Sequence, residues 1–336
     1  MTRKHRTRIA IAAVATAIGA AAILWPQGPV SRISAKLGTI AQARTEPGWP
    51  VYVTTVAGGA AGFADPFGLA MDSAGNLYVA DAGDNNRIRK VAPDGSVGTL
   101  AGQHEGFADG VGAAAAFNTP SAVALDANGN LYVADTGNHA IRKVSATGVV
   151  TTLAGNGTPG YQDGKGGEAR FNGPVGIALD KAGNVFVADT YNDRIRRIAA
   201  DGMVSTFAGD GIPGDLDGAA PAARFDTPAA LVVDGAGNVL VADTQNGAIR
   251  KVAPGGQVST LARAPLEARD ALLRRPVSLA LTHDGFLYVG DMARGRILQL
   301  SPKGELRGLT GIGIDFHPGD ERAARLGRPS GIVVGR

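Results

Sequence analysis

Cysteine is absent from this chain of 336 residues, and only 5% of its residues are aromatic. Without cysteine there can be no disulfide, no thiolate zinc site and no cysteine nucleophile. The 49 glycines, together with so few aromatic residues, favour many short strands and tight turns over long helices. A chain of this length is still large enough to bury a sizeable core.

A strong charge of one sign is also missing from most of the chain. The formal net charge is +3, but four of the 33 basic residues lie within residues 1–25, which contain no acidic residue. The other 29 basic residues face 30 acidic ones. The body of the protein is therefore close to neutral.

The first 50 residues predict a membrane anchor. A basic leader, residues 1–8, precedes an apolar run of 17 residues, 9–25, which as a helix would span about 26 Å and ends at Trp25. A cleaved signal peptide is the alternative, but the first suitable small-residue site, at Ala41 and Ala43, lies far downstream. Residues 26–50 hold four prolines and read as a stalk. We expect residues 51–336 to be extracytoplasmic and tethered, or secreted if the leader is cleaved.

Residues 51–336 are dominated by an internal repeat. An aspartate after a short apolar segment recurs at a spacing of 54 residues and once more after 48, namely Asp81, Asp135, Asp189, Asp243 and Asp291. A proline heads each unit. Periods of this size are typical of a propeller or a solenoid.

Each unit divides into four short apolar segments, which we name strands a, b, c and d. In the third unit they are residues 175–180, 184–189, 194–198 and 204–209, each ended by Gly, Asp or Asn turn residues. No segment has the apolar spacing of a helix over ten or more residues. The pattern predicts an all-β fold, a β-propeller of four-stranded antiparallel blades.

The segment NLYVADTGNHAIRKV, residues 130–144, with its tripeptide Asn138-His139-Ala140, resembles the NHL repeat. The stretches 154–174 and 208–228 are similar to the extended NHL units of bacterial secreted and membrane-anchored proteins. The resemblance implies a β-propeller, commonly six-bladed, that serves mostly as a binding platform. Related propellers include lyases and lactonases.

The sequence does not contain all four strands of a sixth blade. Five units are complete, whereas the sixth consists of a strand a at the end of the chain, RPSGIVVGR, and a strand d that begins at Val51, VYVTTVAG. Pairing of these two ends would give a sixth partial blade and remove open sheet edges. The alternative is a truncated chain whose next residues would have completed that blade.

The five repeated aspartates form the corner between strands b and c. We predict a structural role: each carboxylate accepts hydrogen bonds from backbone N–H groups of the turn that follows it. Contact with a ligand is the alternative. The corner of the first unit is one residue longer, so we expect it to bulge.

The long connections run from strand d to the next strand a and must share one face with the b–c corners. They cover residues 102–119, 155–173, 209–227, 263–275 and 311–328, and variable loops on a rigid scaffold are where binding usually occurs. We predict that this face binds a protein, peptide or glycan. The candidate ligand-binding residues are Tyr161, Asp163, Arg170, Asp215, Asp217, Arg224, His104 and His139. The mixed, slightly acidic loops do not predict nucleic-acid binding.

A metal-dependent lyase or lactonase is the alternative function, since related propellers hold a metal at the axis with His, Glu, Asp or Asn from strands a. Here strands a supply no histidine or glutamate to the axis. No histidine pair has a ligand spacing. We predict no cofactor and no metal, leaving open zinc between His104 and His139 or calcium at Asp163 or at Asp215 and Asp217.

Two further series repeat every 54 residues. Arg142, Arg196 and Arg250 in strand c, with Arg89 in the first unit, alternate with apolar residues and are predicted to face outward or to bridge to a neighbouring blade. The second series, Phe117, Phe171 and Phe225, precedes each blade proline by three residues. We expect these rings to fill the junctions between blades.

Overall fold

The computed structural model describes residues 8–15, 18–26, 51–58, 62–263, 271–310, 316–317, 319–320, 325–326 and 328–335. The five repeats within residues 65–310 form five antiparallel sheets, each with the order a-b-c-d. The chain thus folds as an all-β propeller, as the repeat predicts.

The strands of the five blades have the following bounds, from a to d. Blade 1 contains Asp65–Met71, Leu77–Ala82, Arg87–Val91 and Val97–Ala101. Blade 2 contains Pro120–Leu125, Leu131–Asp135, Ala140–Val144 and Val149–Ala154. Blade 3 contains Pro174–Leu179, Val185–Asp189, Arg194–Ile198 and Met203–Ala208. Blade 4 contains Pro228–Val233, Val239–Asp243, Ala248–Val252 and Gln257–Arg263. Blade 5 contains Pro276–Leu281, Leu287–Asp291, Arg296–Leu300 and Leu306–Thr310.

Blades 2, 3 and 4 carry a fifth strand that the sequence does not predict. The connection that enters each of these blades pairs antiparallel with its strand d, through Gly110–Val111, Gly164–Lys165 and Gly218–Ala219. These short strands cover the outer edges of the three blades, where unpaired backbone groups would otherwise be open to another chain. The described ranges also contain four 3-10 turns, Gly112–Ala114, Thr136–Asn138, Gly166–Glu168 and Thr190–Asn192.

The core lies between blades. Every residue of strand b is buried in blades 1, 3 and 4, because a blade packs against a neighbour on both faces. Phe117, Phe171 and Phe225 are fully buried, and each belongs to a cluster that joins side chains of two successive blades. Their predicted role as junction fillers is confirmed.

A further sheet contains both ends of the propeller. Its strand order is Gly319–Asp320, Val51–Gly58, Ile18–Pro26, Arg8–Ala15 and Arg328–Gly335. The predicted sixth blade, made by direct pairing of the two ends, is not supported, because two N-terminal strands stand between them. A separate two-stranded sheet pairs Phe316–His317 with Arg325–Leu326.

The predicted membrane helix over residues 9–25 is not supported either. Those residues lie in strands Arg8–Ala15 and Ile18–Pro26, and no described helix has the length and apolar character needed to cross a bilayer. The backbone N–H and C=O groups of an apolar run without periodicity can be hydrogen-bonded in a helix or in a strand. Here they pair with the strands Arg328–Gly335 and Val51–Gly58 at the two ends of the propeller. Of the predicted stalk, residues 26–50, only Pro26 is described, at the end of the strand Ile18–Pro26, and residues 27–50 lie outside the described ranges.

Strands a and the strand Arg328–Gly335 form an inner ring of six, in which each strand contacts the next. The ring closes where Ser330 Oγ donates a hydrogen bond to the Pro66 carbonyl at 3.0 Å. Elsewhere a threonine at the b–c corner donates to the carbonyl of the next blade's proline. These pairs are Thr136 with Pro174, Thr190 with Pro228, and Thr244 with Pro276.

Ring closure predicts a sharp difference between two glycines. A Cβ at Gly331 would lie 2.1 Å from the Phe67 carbonyl oxygen, whereas one at Gly308 meets nothing within 4 Å. We expect Gly331→Ala to lower the free energy of unfolding by about 1–3 kcal/mol, and Gly308→Ala to leave it unchanged or slightly higher. Urea unfolding followed by fluorescence measures both. Equal effects of the two substitutions would contradict the close approach that closes the ring.

Candidate functional site

The b–c corners and the two ends of each d–a connection lie on one side of the propeller, which we call the long-loop face, whereas the middle of the connections entering blades 2, 3 and 4 runs along the outer edge to the c–d turn. Each corner aspartate is fully buried and accepts a backbone N–H from the connection that enters its own blade. The donors are Ala64 to Asp81, Asn118 to Asp135, Asn172 to Asp189, Asp226 to Asp243, and Arg274 to Asp291, at 2.7–2.9 Å. Corners and connections are therefore fastened together.

This bonding differs from the predicted turn. The backbone donor lies 17 residues upstream in each case, and only Asp291 also accepts an N–H of the following turn, from Ala293. The corner asparagine does bind the carboxylate, but through its side chain: Asn138 Nδ2 donates to Asp135 Oδ2 at 2.9 Å. The aspartates thus fix a distant loop, which local turn statistics do not reveal.

The second partner of the corner aspartate is the strand c arginine. In blade 3, Arg196 Nη1 donates to Asp189 Oδ2 at 2.8 Å and to the Arg170 carbonyl at 3.0 Å. Its Nη2 donates to Asp163 Oδ1 at 2.6 Å and to the Gln162 carbonyl at 2.9 Å. One guanidinium therefore joins the corner to two points of the connection 155–173.

The same clamp recurs in blades 2 and 4. Arg142 joins Asp135 and Asp109, and Arg250 joins Asp243 and Asp217, each with N–O distances of 2.6–2.7 Å. The three arginines are fully buried, so the first of the two predicted alternatives, an outward orientation, is wrong; each guanidinium instead binds the connection that arrives from the preceding blade. Each guanidinium also lies about 5 Å from the phenylalanine that fills the blade junction.

Burial and pairing compete at these carboxylates. Desolvation raises the pKa of Asp135 to about 6, against hydrogen bonds from Asn138 and Asn118 and the charge of Arg142. The pKa of Asp243 is raised to about 6 for the same reason. Both are still ionised at neutral pH. Asp217 is less buried, so hydrogen bonds from Arg250 and Thr260 outweigh desolvation and hold its pKa below the usual value.

The clamp predicts a large loss of stability when one of two adjacent arginines in strand c is removed, and almost none when the other is removed. Arg196 is buried, whereas Arg197 is exposed. Arg196→Ala leaves two carboxylates without their cation, and we expect the free energy of unfolding to fall by about 3–5 kcal/mol. Arg197→Ala should change it by less than about 0.5 kcal/mol. Denaturant titration of both variants provides the comparison, and similar losses would mean that the clamp does not stabilise the fold.

A second contact joins successive blades on the same face. The corner residue in left-handed conformation (Asn86, His139 or Asp193) accepts a backbone N–H from the residue that precedes the next blade's proline. The bonds are Thr119 to Asn86 at 2.6 Å, Gly173 to His139 Nδ1 at 3.0 Å, and Thr227 to Asp193 at 2.8 Å. Neighbouring blades are thus stapled at the long-loop face.

His139 makes one staple sensitive to pH. Burial lowers the pKa of His139 below its usual value, and Nδ1 must be unprotonated to accept from Gly173. The unfolded chain therefore binds the proton more readily, and stability falls as pH drops through about 6.5.

We expect His139→Asn, which places at blade 2 the acceptor that blade 1 has in Asn86, to remove this part of the acid dependence. Thermal unfolding of both proteins between pH 8 and pH 5 measures the difference. Parallel curves would show that the histidine does not titrate on folding.

The structure divides the predicted ligand residues into engaged and available groups. Asp163 and Asp217 belong to clamps yet stay almost half exposed. Asp215 pairs with Arg250 and Arg263, and Arg224 pairs with Asp210 at 2.8 Å. His139 forms the staple, while His104 and Arg170 are exposed, and no described residue pairs with the Arg170 guanidinium. Their contact with a ligand stays a prediction.

Tyr161 has a neighbour that sequence reasoning missed. The Arg194 guanidinium lies 4.0 Å from the centre of its ring, and Arg194 Nη2 donates to the Asp210 carbonyl at 2.7 Å. Tyr161 is nonetheless 47% exposed. Arg194 therefore joins the connections 155–173 and 209–227 into one surface. The only sequence signal is that its counterparts in blades 2 and 4, Ala140 and Ala248, cannot make this contact.

Apolar side chains are exposed mainly on the long-loop face. Of the ten exposed large apolar or aromatic side chains among the described residues, six lie in its corners and connections: Phe107, Tyr161, Tyr191, Ile212, Leu216 and Leu272. The other four, Val111, Val149, Met203 and Leu261, lie in strands at the outer edges of the blades. Such patches on monomeric proteins mark interaction sites more often than chance.

An axial cavity of about 520 Å³ runs inside the inner ring. Residues of all six inner strands line it, and its rim at the long-loop face includes Tyr191, Thr227, Arg275 and Met292. Its described lining contains no aspartate, glutamate or histidine. Across the described ranges, no three Asp, Glu or His side chains are grouped in a way that could hold a metal ion.

Comparison with known proteins identifies the repeat. The NHL repeat model matches residues 63–91, 117–144 and 171–198. The chain is 31% identical to the protein SUPPRESSOR OF QUENCHING 1, chloroplastic, of Arabidopsis thaliana over 297 residues, which are 80% of this chain and 28% of that protein. The chain thus spans about a quarter of that relative's length.

Two solved structures share the fold. An auxiliary nutrient binding protein from Bacteroides ovatus has a TM-score of 0.55 at 17% identity, over 77% of this chain and 64% of that chain. A gluconolactonase from Xanthomonas campestris has a TM-score of 0.54 at 16% identity, over 77% of this chain and 78% of that chain. At this identity the likeness concerns the fold alone.

Proposed function

The chain is an NHL-repeat β-propeller protein, and from this premise we propose that its long-loop face is a binding surface for a protein, peptide or glycan, with no catalysis of its own. The observation that carries the proposal is the set of apolar and aromatic side chains exposed there. Exposed aromatic anchors surrounded by polar groups are typical of recognition surfaces.

The loops that present these side chains are held rigidly. Each of the connections entering blades 2, 3 and 4 is bound by a buried guanidinium, a buried corner carboxylate and a short strand pairing. A partner therefore meets a surface that is already ordered, and it loses little free energy in ordering it. Clamped loops on a stable ring are what a binding platform requires.

The polar groups on this face complement its apolar ones. Asp163 and Asp217 are almost half exposed at the outer end of their clamps, and the exposed Arg170 guanidinium pairs with no described residue. Positively and negatively charged hydrogen-bonding groups beside aromatic rings suit the binding of a peptide or a glycan. A nucleic acid would require a continuous basic surface.

A metal-dependent lyase or lactonase is the second candidate, and its only support is fold likeness. Such an enzyme would require metal-binding side chains at the axis, but the described lining of the axial cavity has hydroxyl, aliphatic and aromatic groups and a single charge, Arg275. The donor set is thus poor for zinc or calcium. A binding role accounts for more of the surface.

An extracytoplasmic location with an N-terminal tether is a further part of the proposal. It is supported by the basic leader and the apolar run of residues 9–25. The strand pairing of the same residues is a competing arrangement, because a segment cannot be in the closing sheet and in a bilayer at once. Membrane insertion would remove Arg8–Ala15, the strand that pairs with the outer edge of Arg328–Gly335, and other residues would have to cover that edge.

The binding role is tested with two triple variants, each of which replaces three exposed apolar or aromatic side chains by serine. Tyr161→Ser, Ile212→Ser and Leu216→Ser alter the long-loop face, whereas Val149→Ser, Met203→Ser and Leu261→Ser alter strands d. The full-length chain is applied to peptide and glycan arrays, and hits are measured by surface plasmon resonance. We expect the first variant to weaken binding at least about tenfold, and the second to leave it unchanged.

Two results would contradict the proposal. One is an equal loss in both variants, which would place recognition elsewhere. The other is one tightly bound zinc or calcium ion per chain, together with turnover of a lactone or a cyclic peptide, which would favour the enzyme.

A further inference from the structure

The axial cavity is long, narrow and apolar. All six inner strands line it along most of their length, as the run from Phe67 to Met71 does in blade 1, and those four steps of about 3.3 Å correspond to about 13 Å along the strand. A volume of about 520 Å³ lies within the range of small-molecule sites. A single hydrocarbon chain matches this shape better than a compact ring system.

Polar groups are concentrated at one end. The rim at the long-loop face carries the hydroxyl groups of Thr190, Thr227 and Thr244, together with Tyr191 and Arg275. Below the rim the lining consists mainly of Ala, Val, Leu and Met side chains. A ligand that fits must therefore have an apolar body and a polar head at the rim.

The head should be an anion. Arg275 is the only charged residue among the described lining, it is exposed, and no described residue pairs with its guanidinium. Beside it, desolvation lowers the pKa of Arg296, the Asp291 carboxylate opposes that shift, and the charges of Arg294 and Arg274 add to it. Among the described lining residues, the blade 5 side of the rim thus carries the charge.

The opposite side of the rim does not cancel this charge. Asp65 holds in blade 1 the position of Arg275, directly before the blade proline, but its side chain packs on Gly83 and does not line the cavity. Among the described residues, no carboxylate therefore lines the cavity opposite Arg275.

We propose that the axial cavity binds a small amphipathic carboxylate: its unbranched hydrocarbon chain lies along the inner strands and its carboxylate binds Arg275. This site shares Tyr191 at its rim with the surface proposed above for a protein, peptide or glycan, but it does not depend on that surface. Loss of binding on the arrays would leave this site untouched.

The test is calorimetric titration of the full-length chain with a series of straight-chain carboxylates from acetate to decanoate at pH 7.5. We expect one octanoate per chain, acetate without detectable binding, and affinity that falls about fourfold for each methylene removed. Octanol, which keeps the chain but lacks the charge, should bind at least about tenfold more weakly than octanoate.

Variants of the protein test separately where the carboxylate and the hydrocarbon chain of the ligand bind. Arg275→Gln should weaken octanoate binding at least about tenfold and leave octanol unaffected, whereas Arg197→Gln, the same charge change at an exposed site outside the cavity, should change neither. Ala229→Phe introduces at blade 4 the side chain that Phe67 provides at the same position of blade 1 and should block octanoate. Thermal unfolding shows whether each variant is folded.

Three results would overturn the proposal: equal affinity for acetate and octanoate, equal affinity for octanol and octanoate, or unchanged octanoate binding in Arg275→Gln. The last is decisive even if Ala229→Phe fails to fold, because Arg275 is exposed and its removal leaves the packing intact.

Discussion

A buried guanidinium must find a counter-charge and enough acceptors, and this requirement organises the long-loop face. Arg142, Arg196 and Arg250 each lie fully inside the protein and are neutralised by the corner carboxylate of their own blade. Their Nη groups also bind carbonyls and a second carboxylate of the incoming connection, whereas the Nε of Arg142 and of Arg196 is buried without a hydrogen-bond partner among the described residues. Removing either charge would leave the other buried without a counter-charge in a medium of low polarity. The loops are thus as fixed as the strands.

Much of the architecture was accessible from the sequence because it depends on local signals. Alternating apolar residues, turn residues and the 54-residue spacing predicted the strands of five blades and placed corners and connections on one face. The spacing also revealed the buried series Phe117, Phe171 and Phe225, whose role in the junctions was predicted correctly. Those features need no knowledge of which distant residues meet.

The clamp was not predicted, because its partners are far apart in the chain. Arg196 binds Asp163 across 33 residues, and Asp189 binds the backbone of Asn172 across 17. Charged side chains are almost never fully buried unless paired, so an exposed position was the better expectation for the arginines. A signal was present in the constant offset between Asp109, Asp163 and Asp217 and the arginines that follow them. The same offset explains why part of the predicted ligand set is engaged inside the protein.

The membrane helix predicted from the N-terminal apolar run is not supported for another reason: an apolar run without periodicity is compatible with a helix or with a strand.

The hydrogen bond from Ser330 to Pro66 spans 264 residues and completes the inner ring. A ribosome delivers the chain from its N-terminus, and blades that contact only their neighbours can assemble in that order. The ring cannot, since its last member follows all five blades. Until Arg328–Gly335 emerges, the nascent protein must remain an open arc with two unprotected flanks, and during that interval it is most exposed to chaperones, proteases and neighbouring chains.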